Sequence, residues 1–283
     1  EKPREVELLM NEVDALSRDS FAAVKEDVDG AMARRCGIDP AELRPWHYQG
    51  RFFQEAPDLY PVDFDSYYKG RDLERLTIDY YRSIGLDVEP MLRRSDLYPR
   101  EGKNQHAFCI DMDCMGDVRV LCNLTDNERW METMLHEFGH AAYSAGHDAN
   151  PELPFMLREA AGIFTTEGVA MMFGRLSRNP DWMRLNLGIS SEEAARIAPD
   201  CRRSARLSQL VQSRFMQVVY RFEKAMYADP EQDLNALWRS LVEKYQLLTY
   251  PEGRDEPDWA AKIHIALYPC YYHNYQMGEL FAS

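Results

Sequence analysis

Residues 136 to 140 of this chain read His-Glu-Phe-Gly-His. On an α-helix, positions i and i+4 lie one turn apart on the same face, so both imidazoles can reach a single ion. Zinc accepts neutral imidazole nitrogen, and a carboxylate one residue after the first histidine sits beside the metal without filling a coordination position. The pattern therefore predicts one Zn2+ per chain, held by His136 and His140. Glu137 is the general base that activates a water for attack on a carbonyl carbon, the chemistry of a zinc-dependent peptidase. With seven histidines in the chain, chance produces such a motif on the order of 0.01 times, so it carries real information.

A catalytic zinc takes three protein ligands and keeps its fourth position open. Two carboxylates compete for the third place, Glu159 and Glu167. Periodicity predicts one helix over about 155–176 carrying both. Eight residues at about 100° each would set them about 80° apart around it, so one face presents only one of them. The spacing of Glu159 from His140 is similar to that in thermolysin, and Glu167 lies farther on. Spacing alone leaves both open.

The elements that must position these groups are mostly helical. An amphipathic helix is predicted over the first 35 residues, with Val6, Leu9, Val13, Leu16, Phe21 and Val24 near helical spacing. A turn-rich stretch from Gly37 to Pro61 follows, then a helix from Arg71 to Ile84 ended by Gly85. Residues 105–122 alternate as two strands about a turn at Met115-Gly116, predicting the one small antiparallel hairpin. Further helices are expected at about 126–145, 155–176, 190–228, 232–246 and 267–281. For the zinc helix, Thr125 and Glu128 have capping-box spacing. Trp130, Met134, Phe138 and Ala141 form its apolar stripe, the two histidines lie off that stripe near Tyr143, and Gly146 can end it. Tyr268, Tyr272, Tyr275 and Glu279 recur on one face of the last helix. The fold class is thus mainly α with a single hairpin beside the zinc site, read as one domain over 1–283.

Composition agrees with a folded chain. Hydrophobic residues make up 45% and charged residues 28%, as in ordinary globular proteins. The balance of 33 basic and 47 acidic residues gives −14, which argues against nucleic acid or an anionic membrane as partner. No apolar run reaches the roughly 18 to 20 residues needed to span a bilayer. The sequence begins without Met or a signal peptide and reads as a mature form or a piece of a longer protein. Both secreted or periplasmic and cytoplasmic locations fit. Six scattered cysteines with no CxxC are expected to be free thiols.

Beyond the zinc motif, the sequence resembles the angiotensin-converting-enzyme family of metallopeptidases. Leu153-Pro-Phe-Met-Leu-Arg-Glu-Ala-Ala-Gly-Ile-Phe-Thr-Thr-Glu167 is similar to that family's third-ligand segment, His106-Ala107-Phe108 to its His-Ala-Ser, and Ala261-Lys262-Ile263-His264-Ile265 to its Ala-Lys-Phe-His-Ile. Tyr272 and Tyr275 resemble its paired tyrosines. The Tyr271-Tyr272-His273-Asn274-Tyr275 ending also resembles the more distant thimet and oligoendopeptidase group.

The resemblance implies a helical, neurolysin-like gluzincin fold and a peptide substrate, with release of C-terminal dipeptides. It implies Glu167 as third zinc ligand, with Arg158-Glu159 outside the coordination sphere. His106 and Ala107 would hold the substrate backbone on a strand edge. Lys262 would anchor the peptide's C-terminal carboxylate together with Tyr272, and His264 and Tyr275 would stabilise the oxyanion. Gln49, close to Trp46, is set against a carboxylate-binding Gln. Two positions depart from the family: Met171 replaces an acid one turn after the third ligand, and Asn274 replaces a chloride-binding Arg, which argues against chloride activation. The family's catalytic unit is longer, so this chain reads as a fragment or shortened relative. An endo-acting oligopeptidase and a non-catalytic peptide-binding protein on the same fold are the alternatives.

Overall fold

The computed structural model describes residues 2–48, 50–148, 150 and 152–283, with 147 and 148 by backbone alone. It divides into two compact units, one of 1–61 with 202–276 and one of 62–201 with 277–283. Helices dominate both, and one two-stranded antiparallel sheet lies in the second.

In the first unit, helix α1 (Pro3–Cys36) starts with proline in its first turn and ends on Gly37, whose φ of 68° lets its N–H return to Ala33 O. Its buried face differs from the sequence expectation. Val6, Met10, Phe21, Val28 and Met32 are inside, along with Asp14 and Lys25, whereas Leu16 is 77% exposed. The two charges explain the difference, because each is buried with partners. Asp14 accepts from Arg214 at 2.6 Å, and Lys25 donates to Asp29 and to Tyr48 at 2.5 and 2.9 Å. Within this unit, Phe52, Phe215, Phe222 and Trp238 form an aromatic cluster.

The second unit is built from helices α2 (Asp65–Tyr68), α3 (Leu73–Ser83) and α4 (Glu89–Leu92), strands β1 (Phe108–Asp111) and β2 (Val118–Leu121), and helices α5 (Glu128–Asp148), α6 (Ile163–Gly174) and α7 (Pro180–Leu187). The hairpin pairs Phe108 with Leu121 and Asp111 with Val118. Helix α8 (Ser191–Ala228) gives its first turns to this unit and the rest to the first. Helices α9 (Leu234–Gln246) and α10 (Ile263–Leu267) belong to the first unit, and α11 (Tyr272–Ala282) contributes to each.

Three helix boundaries depart from expectation, each for a local reason. Helix α6 begins at Ile163, because Pro154 opens a single 3-10 turn and Gly162 is extended. Helix α11 begins at Tyr272: Pro269 disfavours the helical region for Tyr268, and Cys270 sits at φ 58°. Tyr268 is therefore off the helical face predicted for it. Helix α5 runs past Gly146, and no Thr125–Glu128 capping box forms. Asn127 Oδ1 caps it by accepting from Trp130 N at 3.0 Å, and Asp65 Oδ1 accepts from Glu128 N at 3.0 Å. Glu128 is instead buried, accepting from Ser177 Oγ at 2.6 Å and pairing with Arg178 at 2.7 Å.

Candidate metal centre

Helix α5 is held from one side by its apolar stripe. Met131, Met134, Leu135, Phe138 and Ala141 are all fully buried in the core of the second unit. Tyr81 donates its hydroxyl to Leu135 O at 2.5 Å. The stripe leaves His136 and His140 on a different face, where α6 packs.

The close approach of α5 and α6 depends on glycine. A β-carbon on Gly139 would lie 3.0 Å from Ala170 Cα and 3.1 Å from Phe173 Cδ2, and one on Gly174 would lie 3.3 Å from His136 Cβ. Gly168 meets the end of α11 in the same way, since its β-carbon would stand 2.6 Å from Phe281 and 3.0 Å from Gly278 O. A buried helical glycine with no turn to make is the signal for such contacts. Gly139→Ala tests this. Helix propensity alone favours alanine by about 1 kcal/mol, while overpacking against backbone costs about 1 to 3 kcal/mol. The expected outcome is a lower melting temperature together with weaker metal binding, both measured on the purified variant.

The packing brings three donors together. His136 Nε2 and His140 Nε2 are 3.2 Å apart, and each is 3.7 Å from Glu167 Oε2. A tetrahedral ion with bonds of about 2.0 to 2.1 Å would want its ligands about 3.3 Å apart. Two imidazoles and one carboxylate are also a donor set known for catalytic zinc. The residues fit a zinc ion. Glu167 keeps only 4% of its side-chain surface, but His136 and His140 keep 24% and 15%, so the cluster can be reached from the imidazole side.

Electrostatics favours the same use. Burial lowers His136 to about 4 and holds His140 well below its usual value, with His136 lowering it further. Both rings are therefore neutral at neutral pH, with lone pairs to give. Burial raises Glu137 to about 8, and the neighbouring Glu167 carboxylate raises it too. A bound dication would act in the opposite direction.

Among the described residues, Thr166 was not foreseen in the sequence, and its Oγ1 lies 2.7 Å from His140 Nδ1. Glu159 lies in the exposed segment before α6, so the premise that both carboxylates share a helix does not hold. Met171 is on α6 one turn after Glu167.

The hairpin lies against α5, with Cys109 and Cys122 close enough to Glu137 for its charge to add to the effect of burial, which raises both thiols. His106 does not enter the strand. It is exposed in the preceding bend, its N–H donating to Asn104 Oδ1 at 3.0 Å, while Ala107 packs partly buried on the core. All six cysteines are free thiols.

The remaining expected site residues lie in the first unit. Lys262 is buried, donates to Gln54 Oε1 at 2.6 Å, and stands 5.4 to 5.6 Å from the ring centres of Phe52, Phe215 and Tyr272. Burial lowers it to about 8, with Glu55 opposing. Gln49 lies outside the described residues, and Gln54 is the glutamine found beside this lysine. His264 Nε2 is 3.3 Å from Tyr275 OH, and the His264 ring meets the buried Tyr272 edge-on. No helix among the described residues is long and apolar enough to cross a membrane.

Comparison with solved structures locates this arrangement among known folds. The chain superposes on a structure described as "PZ peptidase A with inhibitor 2" with a TM-score of 0.65 and 17% sequence identity. The chain shares its fold with a peptidase. The match covers 99% of this chain and 48% of the other, so the chain spans about half that protein's length. No protein-family model matches the sequence, and no curated protein is significantly similar to it.

Proposed function

We propose that this protein is a zinc-dependent peptidase acting on oligopeptides, with His136, His140 and Glu167 as metal ligands. The observation that carries this reading is the convergence of three donor atoms within 3.2 to 3.7 Å of one another. The carboxylate of Glu137 lies on the same turn, in surroundings that raise its affinity for a proton.

Zinc bound there supplies Lewis acidity, polarising the scissile carbonyl and lowering the pKa of water. Glu137 accepts the proton of the attacking water on its carboxylate oxygen, then delivers it to the departing amine nitrogen. His264 and Tyr275 are assigned the donors to the developing oxyanion, a role in which removing one donor typically costs about 10² to 10³ in kcat. The β1 edge, preceded by His106 and Ala107, is assigned to the substrate backbone, which would join it as an added strand. Lys262 and Tyr272 are assigned to the peptide's C-terminal carboxylate, making the enzyme a peptidyl-dipeptidase. On this reading 1–283 works as a single catalytic domain.

The test uses a small set of peptides with free and with amidated C-termini, assayed before and after chelation and zinc return. Hydrolysis should vanish with the chelator and come back with zinc. Amidation should lower kcat/KM by about 10-fold or more, as expected for loss of a charge-assisted contact. Undiminished cleavage of amides selects the endo-acting alternative. Stoichiometric zinc with no hydrolysis selects a peptide-binding protein, a reading that the replacement of an acid by Met171 on α6 favours.

A further inference from the structure

We infer that Thr166 is a positioning residue for the metal, acting through His140, an inference that rests on the zinc reading above. A neutral imidazole carries one N–H and one lone pair, and only the lone pair can bind an ion. The 2.7 Å contact between His140 Nδ1 and Thr166 Oγ1 offers two arrangements. If the hydroxyl donates, the ring proton sits on Nε2, which then cannot coordinate. If Nδ1–H donates to Oγ1, Nε2 presents its lone pair toward His136 Nε2 and Glu167 Oε2, which lie 3.2 and 3.7 Å away. Metal binding requires the second arrangement, and Thr166 Oγ1 fixes it by accepting the hydrogen bond from Nδ1–H.

The location of Thr166 makes this support local to the ligand helix. Thr165 donates its hydroxyl to Gly162 O at 2.7 Å and lies 3.3 Å from Tyr143 OH on α5. Thr166 follows with its contact to His140, and Glu167 comes next. Three consecutive residues thus fasten the start of α6 to α5 and supply both a ligand and the partner of another ligand.

A hydroxyl also suits the charge of the site better than the carboxylate that commonly supports a metal-bound histidine. Glu137 and Glu167 already place two carboxylates in buried surroundings. One dication balances two negative charges. A third carboxylate on His140 would leave the site with an excess charge to bury, whereas threonine orients the ring without adding any.

The test measures zinc affinity by competition with a chromophoric chelator in wild type, Thr166→Val and Thr166→Ser, alongside the melting temperature of each metal-free protein. Valine keeps the shape and removes the acceptor. Zinc affinity should fall by about 10- to 100-fold in Thr166→Val and return in Thr166→Ser, with the metal-free melting temperatures close together. Equal affinity in wild type and Thr166→Val overturns the proposal, and so does a loss that serine does not restore. If wild type itself binds no zinc, the metal reading fails first, and the proposal falls with it. A variant-free check is the nitrogen NMR of the zinc-loaded wild type: His140 should carry its proton on Nδ1, and a proton on Nε2 overturns the assignment.

Discussion

Glu137→Gln should leave zinc bound at one ion per chain while lowering kcat by about 10² to 10⁴, the range that a positioned proton-transfer group supplies. Glutamine matches the shape of glutamate but can neither take a proton from water nor pass one to a leaving nitrogen. KM should change far less than kcat, since the lost interaction belongs to the transition state. The fold should not suffer. Glu137 is 8% exposed and its carboxyl is raised to about 8 mainly by burial, so glutamine removes a group that resists ionising. Metal analysis, thermal unfolding and steady-state kinetics on one preparation check all three statements. A variant that lost its zinc would place Glu137 in the coordination sphere instead.

Glu167→Ala should reduce zinc affinity by more than about 100-fold, beyond the loss that removing a ligand's supporting partner typically produces. Glu159→Ala should leave affinity unchanged. The contrast matters because the two carboxylates were rivals on spacing alone, and geometry separates them. Glu167 is 3.7 Å from each imidazole nitrogen, while Glu159 lies exposed in the segment before α6. Titration of each metal-free variant with zinc gives the answer directly. Equal losses in both variants, or a loss only in Glu159→Ala, would mean that the cluster rearranges around a different third ligand.

The parts of this centre that were legible in the sequence are those fixed by local geometry. The i, i+4 histidines follow from helical pitch, as does the separation of His136 and His140 from the buried Met134, Phe138 and Ala141. The hairpin was readable from alternation of side chains, and its position against α5 places it by the motif. What escaped depends on contacts between elements distant in sequence. Spacing leaves both Glu159 and Glu167 open because helical periodicity runs from about 155. The extended backbone at Gly162 delays the helix to Ile163. Thr166 carries no motif of its own, and its role is visible only once α6 lies across α5. Gln54 escaped because its register to Lys262 is set by a turn-rich loop, where neither period of 3.6 nor of 2 applies. The burial of Asp14 and Lys25 on α1 likewise needs Arg214, Asp29 and Tyr48 in place, so the apolar stripe read from the sequence misplaced Leu16.

The most direct test is anomalous diffraction at the zinc edge from crystals of the metal-loaded protein. The account predicts one peak per chain, about 2.0 to 2.2 Å from His136 Nε2, His140 Nε2 and a Glu167 carboxylate oxygen. A fully loaded crystal with its peak elsewhere, or with either imidazole turned away from the ion, would contradict it.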